Sequence, residues 1–187
     1  MTDVHQINGY RSSDGTSQPL RLDKATNTLQ TMSYEHHEIH GGSAFTVSYN
    51  EDVGNGANCD VLLVTPNTTK WAHLTYSVDV EVEAMLYIYE APTATPGSAL
   101  VAYNRDRNSA TTATVTVSST PTSITPGTTI IRQYHFGSGR TFGGGDRAVF
   151  EFILKQNTKY LLRVNNMTAN ANYISLKLDW YEHVNLV

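Results

Sequence analysis

Three histidines and two glutamates lie between residues 35 and 40 in the stretch MSYEHHEIHGGSAF. Imidazole and carboxylate groups are the ligands of catalytic zinc, so this stretch raises the question of a metal-dependent hydrolase. The zinc-protease motif needs His-Glu-x-x-His on a helix. Here His37-Glu38-Ile39-His40 is one residue too short, and two glycines follow at once. The zinc-protease motif is therefore not present.

In an extended strand the same residues have a different arrangement. His36, Glu38 and His40 then share one face at steps of about 6.6 Å, which leaves a two-histidine, one-glutamate hydrolase as the enzymatic alternative. We expect instead a polar segment whose side chains bond to each other or to another subunit, without metal or cofactor. Further ligands for the alternative would come from His73, His135 or His183. The residues predicted for the interface are His36, His37, Glu38, His40 and Phe45.

Other signatures of enzymes are missing from the sequence. There is no G-x-S-x-G elbow and no P-loop. The stretch GSGRTFGGGDR (137–147) looks like a phosphate-binding loop, but no helix follows that could hold an anion at its N-terminus, so we predict a hairpin tip. No enzymatic activity is expected. The carboxylates interpreted as solvent-facing are Asp60, Asp79, Glu81 and Glu83.

Composition narrows the classes of partner. Charged residues make up 16% of the chain, the net charge is -4 and no basic cluster occurs, so nucleic acid is not an expected partner. The single cysteine, Cys59, allows no intrachain disulfide and is predicted to be a buried, inert thiol in a chain assembled in a reducing cytoplasm. Neither a signal peptide nor an apolar stretch long enough for a membrane helix is found, so no membrane partner is expected.

The elements that would position these residues are predicted to be strands. Eight runs rich in β-branched and aromatic residues follow Ala44, separated by turn signals such as Asn55-Gly56. Most alternate with period two: Ile174, Leu176 and Leu178 oppose Ser175 and Lys177. We predict an all-β fold, an antiparallel β-sandwich of the jelly-roll type over residues 31–187, with no convincing helix. Residues 1–30 are polar and predicted to form an extended N-terminal arm.

Aromatic residues at alternating positions, such as Tyr87 and Tyr89, are interpreted as core or interface. If a glycan is bound, the better candidates for contact are the tryptophans near strand ends, Trp71 and Trp180.

Several motifs resemble a group of small structural proteins of tailed bacteriophages, the head decoration or cement proteins. The resemblance rests on YEHHEIHGGSAFTVSY, LYIYEAPTATPGSALVAYNRDRNS, the glycine-rich tip, FILKQNTKYLLRVNN and a terminal LDWYEH, and it spans residues 32–183. It implies a β-sandwich that binds the outer surface of the assembled capsid as a homotrimer, with the major capsid protein as partner and the virion as location. It also implies the absence of enzymatic activity. The alternative is a glycan-binding sandwich of a phage fibre or head appendage.

Overall fold

A computed structural model of the protein describes residues 33–137 and 151–184, together with the backbone of Asn8–Tyr10, Ser17–Pro19 and Asp146–Arg147. The rest of the predicted arm, and the glycine-rich tip from residue 138 to residue 145, lie outside the described residues.

The chain divides into two compact units, Met1–His37 and Glu38–Val187. In the first unit, strand β1 (Asn8–Tyr10) pairs antiparallel with strand β2 (Ser17–Pro19), with Gly9 opposite Gln18. The boundary between the units falls within a short helix, α1 (Tyr34–His40).

The second unit is built from strands. In chain order they are β3 (Ala44–Val53), β4 (Asn58–Val64), β5 (Lys70–Val80), β6 (Ala84–Glu90), β7 (Thr93–Thr95), β8 (Ser98–Leu100), β9 (Tyr103–Asn104), β10 (Thr116–Ser119), β11 (Thr122–Thr125), β12 (Thr128–His135), β13 (Asp146–Arg147), β14 (Phe152–Leu154), β15 (Lys159–Asn166) and β16 (Asn172–Val184).

Two six-stranded antiparallel sheets form the body of this unit. The first sheet has the order β12-β6-β15-β4-β10-β8, and the second has the order β13-β5-β16-β3-β9, with β14 also paired to β5. One hydrophobic cluster contains side chains from both sheets, among them Leu63, Leu86 and Leu162 of the first and Phe45, Leu176 and Trp180 of the second. The predicted all-β antiparallel sandwich is therefore confirmed, while its jelly-roll connectivity stays a prediction.

The alternation in the sequence sets which face of each strand is buried. In β16, Ile174, Leu176 and Leu178 are at most 1% exposed, whereas Ser175 and Lys177 face outward. In β5, buried side chains alternate with half-buried ones from Leu74 to Val80, and residues 81–83 then form the turn into β6. A turn at residues 156–157 connects β14 to β15.

A second, smaller hydrophobic cluster lies on the outward face of the first sheet. Leu62 and Leu161 point away from the main core but are fully buried, because they pack with Ala94 of β7 and with Ile124 of β11. Ala94 and Ile124 belong to the two-stranded sheet that β7 and β11 form. Burial on two faces explains why β4 reads as an almost continuous apolar run.

Candidate functional site

The histidine stretch forms a helix and not the extended strand considered for the enzymatic alternative, and the prediction of a chain without a convincing helix is wrong. Ser33 caps the helix, since its Oγ accepts a hydrogen bond from the amide of His36 at 3.4 Å. Gly42 has φ +69° and ends the helix in a Schellman motif: its amide donates to the Ile39 carbonyl, and the amide of Ser43 donates to the Glu38 carbonyl. The glycines that argued against a helix are therefore its C-terminal cap.

A helix moves Glu38 away from the two histidines beside which a strand would have placed it. Successive residues turn by about 100°, so Glu38 points about 200° away from His36. His36, His37 and His40 are exposed, whereas Glu38 is 7% exposed and accepts a hydrogen bond from the Ser43 hydroxyl. The common face of His36, Glu38 and His40 on which the enzymatic alternative depends is therefore not formed, since only His36 and His40 remain on one face of the helix. Among the described residues, no group of three or more His, Cys, Asp or Glu side chains is arranged to hold a metal ion.

Two other predicted contact residues lie inside the sandwich. Phe45 is 1% exposed and Trp180 is 2% exposed, with ring centroids 5.9 Å apart. The Trp180 indole also donates to Glu182 at 3.0 Å. Both residues lie on the inward face of their strands and belong to the core. The prediction of Phe45 as an interface residue and of Trp180 as a glycan contact is therefore wrong. Trp71 is half-buried on the outward face of β5.

Buried charged groups tie the two sheets and their loops together. The carboxylate of Glu182, 2% exposed, accepts hydrogen bonds from the amides of Thr114 and Val115 at 3.0 Å, and so joins β16 to the segment entering β10. Asp60, interpreted from sequence as solvent-facing, is 9% exposed and receives two hydrogen bonds from the Arg163 guanidinium at 2.8 and 2.7 Å. The hydrogen bonds and charge of Asp60 raise the pKa of Arg163, which stays charged.

Cys59 is fully buried at the start of β4, as predicted. Burial is the main cause that raises the pKa of its thiol to about 12, and the nearby carboxylates of Glu51 and Asp60 act in the same direction. A neutral thiol at physiological pH is a poor nucleophile.

An exposed apolar surface that lies beside a cavity is the segment of residues 98–104, here called the open edge. It contains β8 and β9, which end the first and the second sheet. Val101 is 65% exposed and Tyr103 is 54% exposed, and the Arg107 guanidinium lies 5.3 Å from the Tyr103 ring centroid. Whether a strand lies at the edge of a sheet depends on the order in which the strands pair, so no local pattern in the sequence indicates that these residues lie at an edge.

The open edge is held firmly at its C-terminal end. Asn104 is 7% exposed, and its side-chain amide donates to the carbonyls of Gly42 at 2.8 Å and Thr111 at 3.0 Å. The amide of Arg105 donates to the Ala44 carbonyl at 2.8 Å. Val101 and Tyr103 are thus presented to solvent by a fixed backbone.

Two shallow cavities flank the open edge. One, of about 470 Å³, is lined by Leu100, Val101 and Tyr103 together with Thr46 and Lys177. The other, of about 230 Å³, is lined by Ala99, Leu100 and Ala102 and by residues 112–117. Lys177 is the single charged side chain among these lining residues, so the surface has the character of an apolar contact area.

Comparison with known protein families, with curated proteins and with solved structures finds no match to this chain. In the part of the chain that the structure describes, no helical segment has the length and apolar character needed to cross a bilayer.

Proposed function

We propose that the protein is a structural component of a tailed-bacteriophage virion that binds the outer surface of the capsid and stabilises the head. The observation that carries the proposal is the open edge, where Val101 and Tyr103 are exposed beside an apolar groove. The resemblance of the sequence motifs to head decoration proteins gives the partner, which is the major capsid protein. The proposed assembly state is a homotrimer.

The chemistry of the open edge suits contact with protein. Tyrosine and arginine are enriched at the centres of protein interfaces, and here Arg107 lies over the ring of Tyr103. Strands β8 and β9 each end a sheet, and among the described residues each pairs on one side only. An edge of this kind can also accept a strand of a partner.

The charged groups described in the core have structural tasks, which favours a binding role over catalysis. Glu182 caps backbone amides and Asp60 is paired with Arg163, so each carboxylate is occupied by bonds that hold the fold. Neither group lines the cavities beside the open edge. This arrangement supports the proposal of a binding role without enzymatic activity.

Co-sedimentation with expanded, DNA-free heads assembled from the major capsid protein of the proposed source phage tests the proposal. The wild-type protein is expected to sediment with the heads, and Tyr103→Ala is expected to lower the bound fraction at least about tenfold, as for a residue at the centre of an interface. Tyr173→Ala is the matched control, since Tyr173 is 52% exposed on a different strand.

Light scattering of the free protein tests the trimer separately. Wild-type protein that does not bind heads at any salt concentration contradicts the proposal, and so does equal loss of binding in the Tyr103 and Tyr173 variants. A monomeric mass for the free protein would overturn the trimer alone.

A glycan-binding module is the second candidate, and one aromatic pair favours it. The rings of Tyr87 and Tyr89 stack with centroids 5.7 Å apart on the outward face of β6, with the Arg132 guanidinium 5.8 Å from the ring of Tyr87. Aromatic faces beside charged hydrogen-bonding groups are suited to sugars. A glycan array on which wild-type protein binds and Tyr87→Ala does not would favour this candidate over the capsid protein.

A further inference from the structure

Two imidazoles meet on the outward face of the second sheet. His73 of β5 lies opposite Tyr181 of β16, and His183 lies opposite Trp71, so the two histidines are diagonal neighbours on adjacent antiparallel strands. Their Nε2 atoms are 2.7 Å apart. The residues are 110 positions apart in the chain, and only the register of the sheet brings them together.

The other nitrogen of each ring faces a hydrogen-bond acceptor. The Nδ1 of His73 lies 2.5 Å from the Glu151 carboxylate, and the Nδ1 of His183 lies 2.9 Å from the Val184 carbonyl. A carboxylate and a carbonyl accept hydrogen bonds, so each Nδ1 carries a proton. In neutral rings of this tautomer the two Nε2 lone pairs face each other, so an approach of 2.7 Å needs a cation between them, which is either a proton, as in a hydrogen bond from an imidazolium, or a metal ion.

We propose that His73 and His183 form a binding site for a divalent transition-metal ion of the zinc class, with water completing its coordination. Imidazole nitrogen is a preferred ligand of Zn²⁺, Ni²⁺ and Cu²⁺. Histidines that bind metal commonly donate their second N–H to a carboxylate or a backbone carbonyl, which fixes the tautomer and directs the lone pair at the ion. Glu151 and the Val184 carbonyl occupy these two positions.

The site needs little rearrangement to accept the ion. At Zn–N distances of about 2.0–2.1 Å, two nitrogens of a tetrahedral site stand about 3.3 Å apart, so the imidazoles must separate by about 0.6 Å. The ring of His73 is held by stacking on Tyr181, with centroids 4.6 Å apart, and the Tyr181 hydroxyl donates to Glu151 at 2.8 Å. His73 is 9% exposed and His183 is half-buried, so water reaches the ion from the side of His183.

Titration of untagged protein with Co²⁺, followed by the visible d–d absorption of tetrahedral cobalt, and calorimetry with Zn²⁺ test the proposal. Wild-type protein is expected to bind one ion per chain at this site. His73→Gln and His183→Gln are expected to abolish the absorption band. Glu151→Gln, which leaves both ligands in place, is expected to weaken binding by about tenfold to a hundredfold.

His37→Gln is the matched control, because His37 is an exposed histidine on α1 with no histidine four residues before or after it, and it should bind as wild type does. Circular dichroism of each variant without metal checks the fold. If His73→Gln does not fold, His183→Gln, at a half-buried position near the end of β16, still decides the question. A wild-type protein that binds neither Co²⁺ nor Zn²⁺ overturns the proposal and leaves a shared proton as the bridging cation. Equal binding by wild type and both histidine variants also overturns it.

Discussion

The carboxylate of Glu182 lies on the inward face of β16, a position where the alternation of the strand places apolar side chains. It is kept there by the amides of Thr114 and Val115 and by the Trp180 indole, which would otherwise be buried without an acceptor. Glu182 is thus a polar residue at an inward position of β16, and its hydrogen bonds connect this strand of the second sheet to the segment that enters the first sheet. Asp60 acts within one sheet instead, because its partner Arg163 lies directly opposite it across the β4–β15 pair.

Replacement of Glu182 tests this role. Glu182→Ala is expected to lower the free energy of unfolding by about 3 kcal/mol or more, because each buried donor left without an acceptor costs about 1–3 kcal/mol. Glu182→Gln should lose less, since its amide oxygen still accepts. Denaturant unfolding measures both, and Asp52→Ala, at an exposed position of β3, should stay close to wild type. An unchanged midpoint for Glu182→Ala would show that the network contributes nothing.

The thiol of Cys59 gives a second test at the residue scale. A pKa raised to about 12, together with full burial, keeps the group neutral at pH 8 and out of reach of a disulfide reagent. Native protein is therefore expected to show no reaction with such a reagent, whereas protein unfolded in denaturant should react with a stoichiometry of one thiol per chain. Rapid modification of the native protein would contradict the buried position.

Helix α1 has only seven residues, too few for hydrophobic periodicity to tell a helix from a strand. Its signals are local instead: Ser33 before the first turn, Glu35 within that turn, and a glycine with positive φ after the end. Gly42 is also confined by its surroundings, because a Cβ built there would lie 2.4 Å from the Ser109 hydroxyl oxygen.

Substitution of glycine by alanine at two positions tests the cap. Gly42→Ala is expected to destabilise the fold by about 1–2 kcal/mol from the left-handed backbone alone, with a further loss from the contact with Ser109. Gly54→Ala is the matched control, since it has an ordinary φ and no atom within 4 Å of the added Cβ. Thermal unfolding of both variants measures the difference, and equal melting temperatures would contradict the role of Gly42.

Much of the strand content can be predicted from sequence, because alternation such as that of Ile174, Leu176 and Leu178 reflects one buried face directly. The ends of the sheets cannot be predicted in this way. Whether β8 and β9 lie at an edge depends on pairings between distant segments, and a residue such as Tyr103 looks the same in a core strand and at an edge. The approach of His73 and His183 depends on the register of β5 against β16, to which no local pattern points.

At the scale of the whole second unit, Glu182 joins the two sheets of the sandwich, and the open edge presents exposed apolar side chains. Asn104 anchors this edge to the backbone near Gly42 and Thr111, so binding requires little ordering of the chain. A preformed surface of this kind suits a protein that must attach at many equivalent positions of a symmetric shell.

Hydrogen–deuterium exchange of the protein, free and bound to expanded heads, tests the central claim most directly. Attachment through the open edge predicts slower exchange at residues 98–107 on binding, with the backbone around the control residue Tyr173 unchanged. Binding that protects only the region of Tyr173 or strand β12, or that leaves residues 98–107 exchanging as in the free protein, would contradict it.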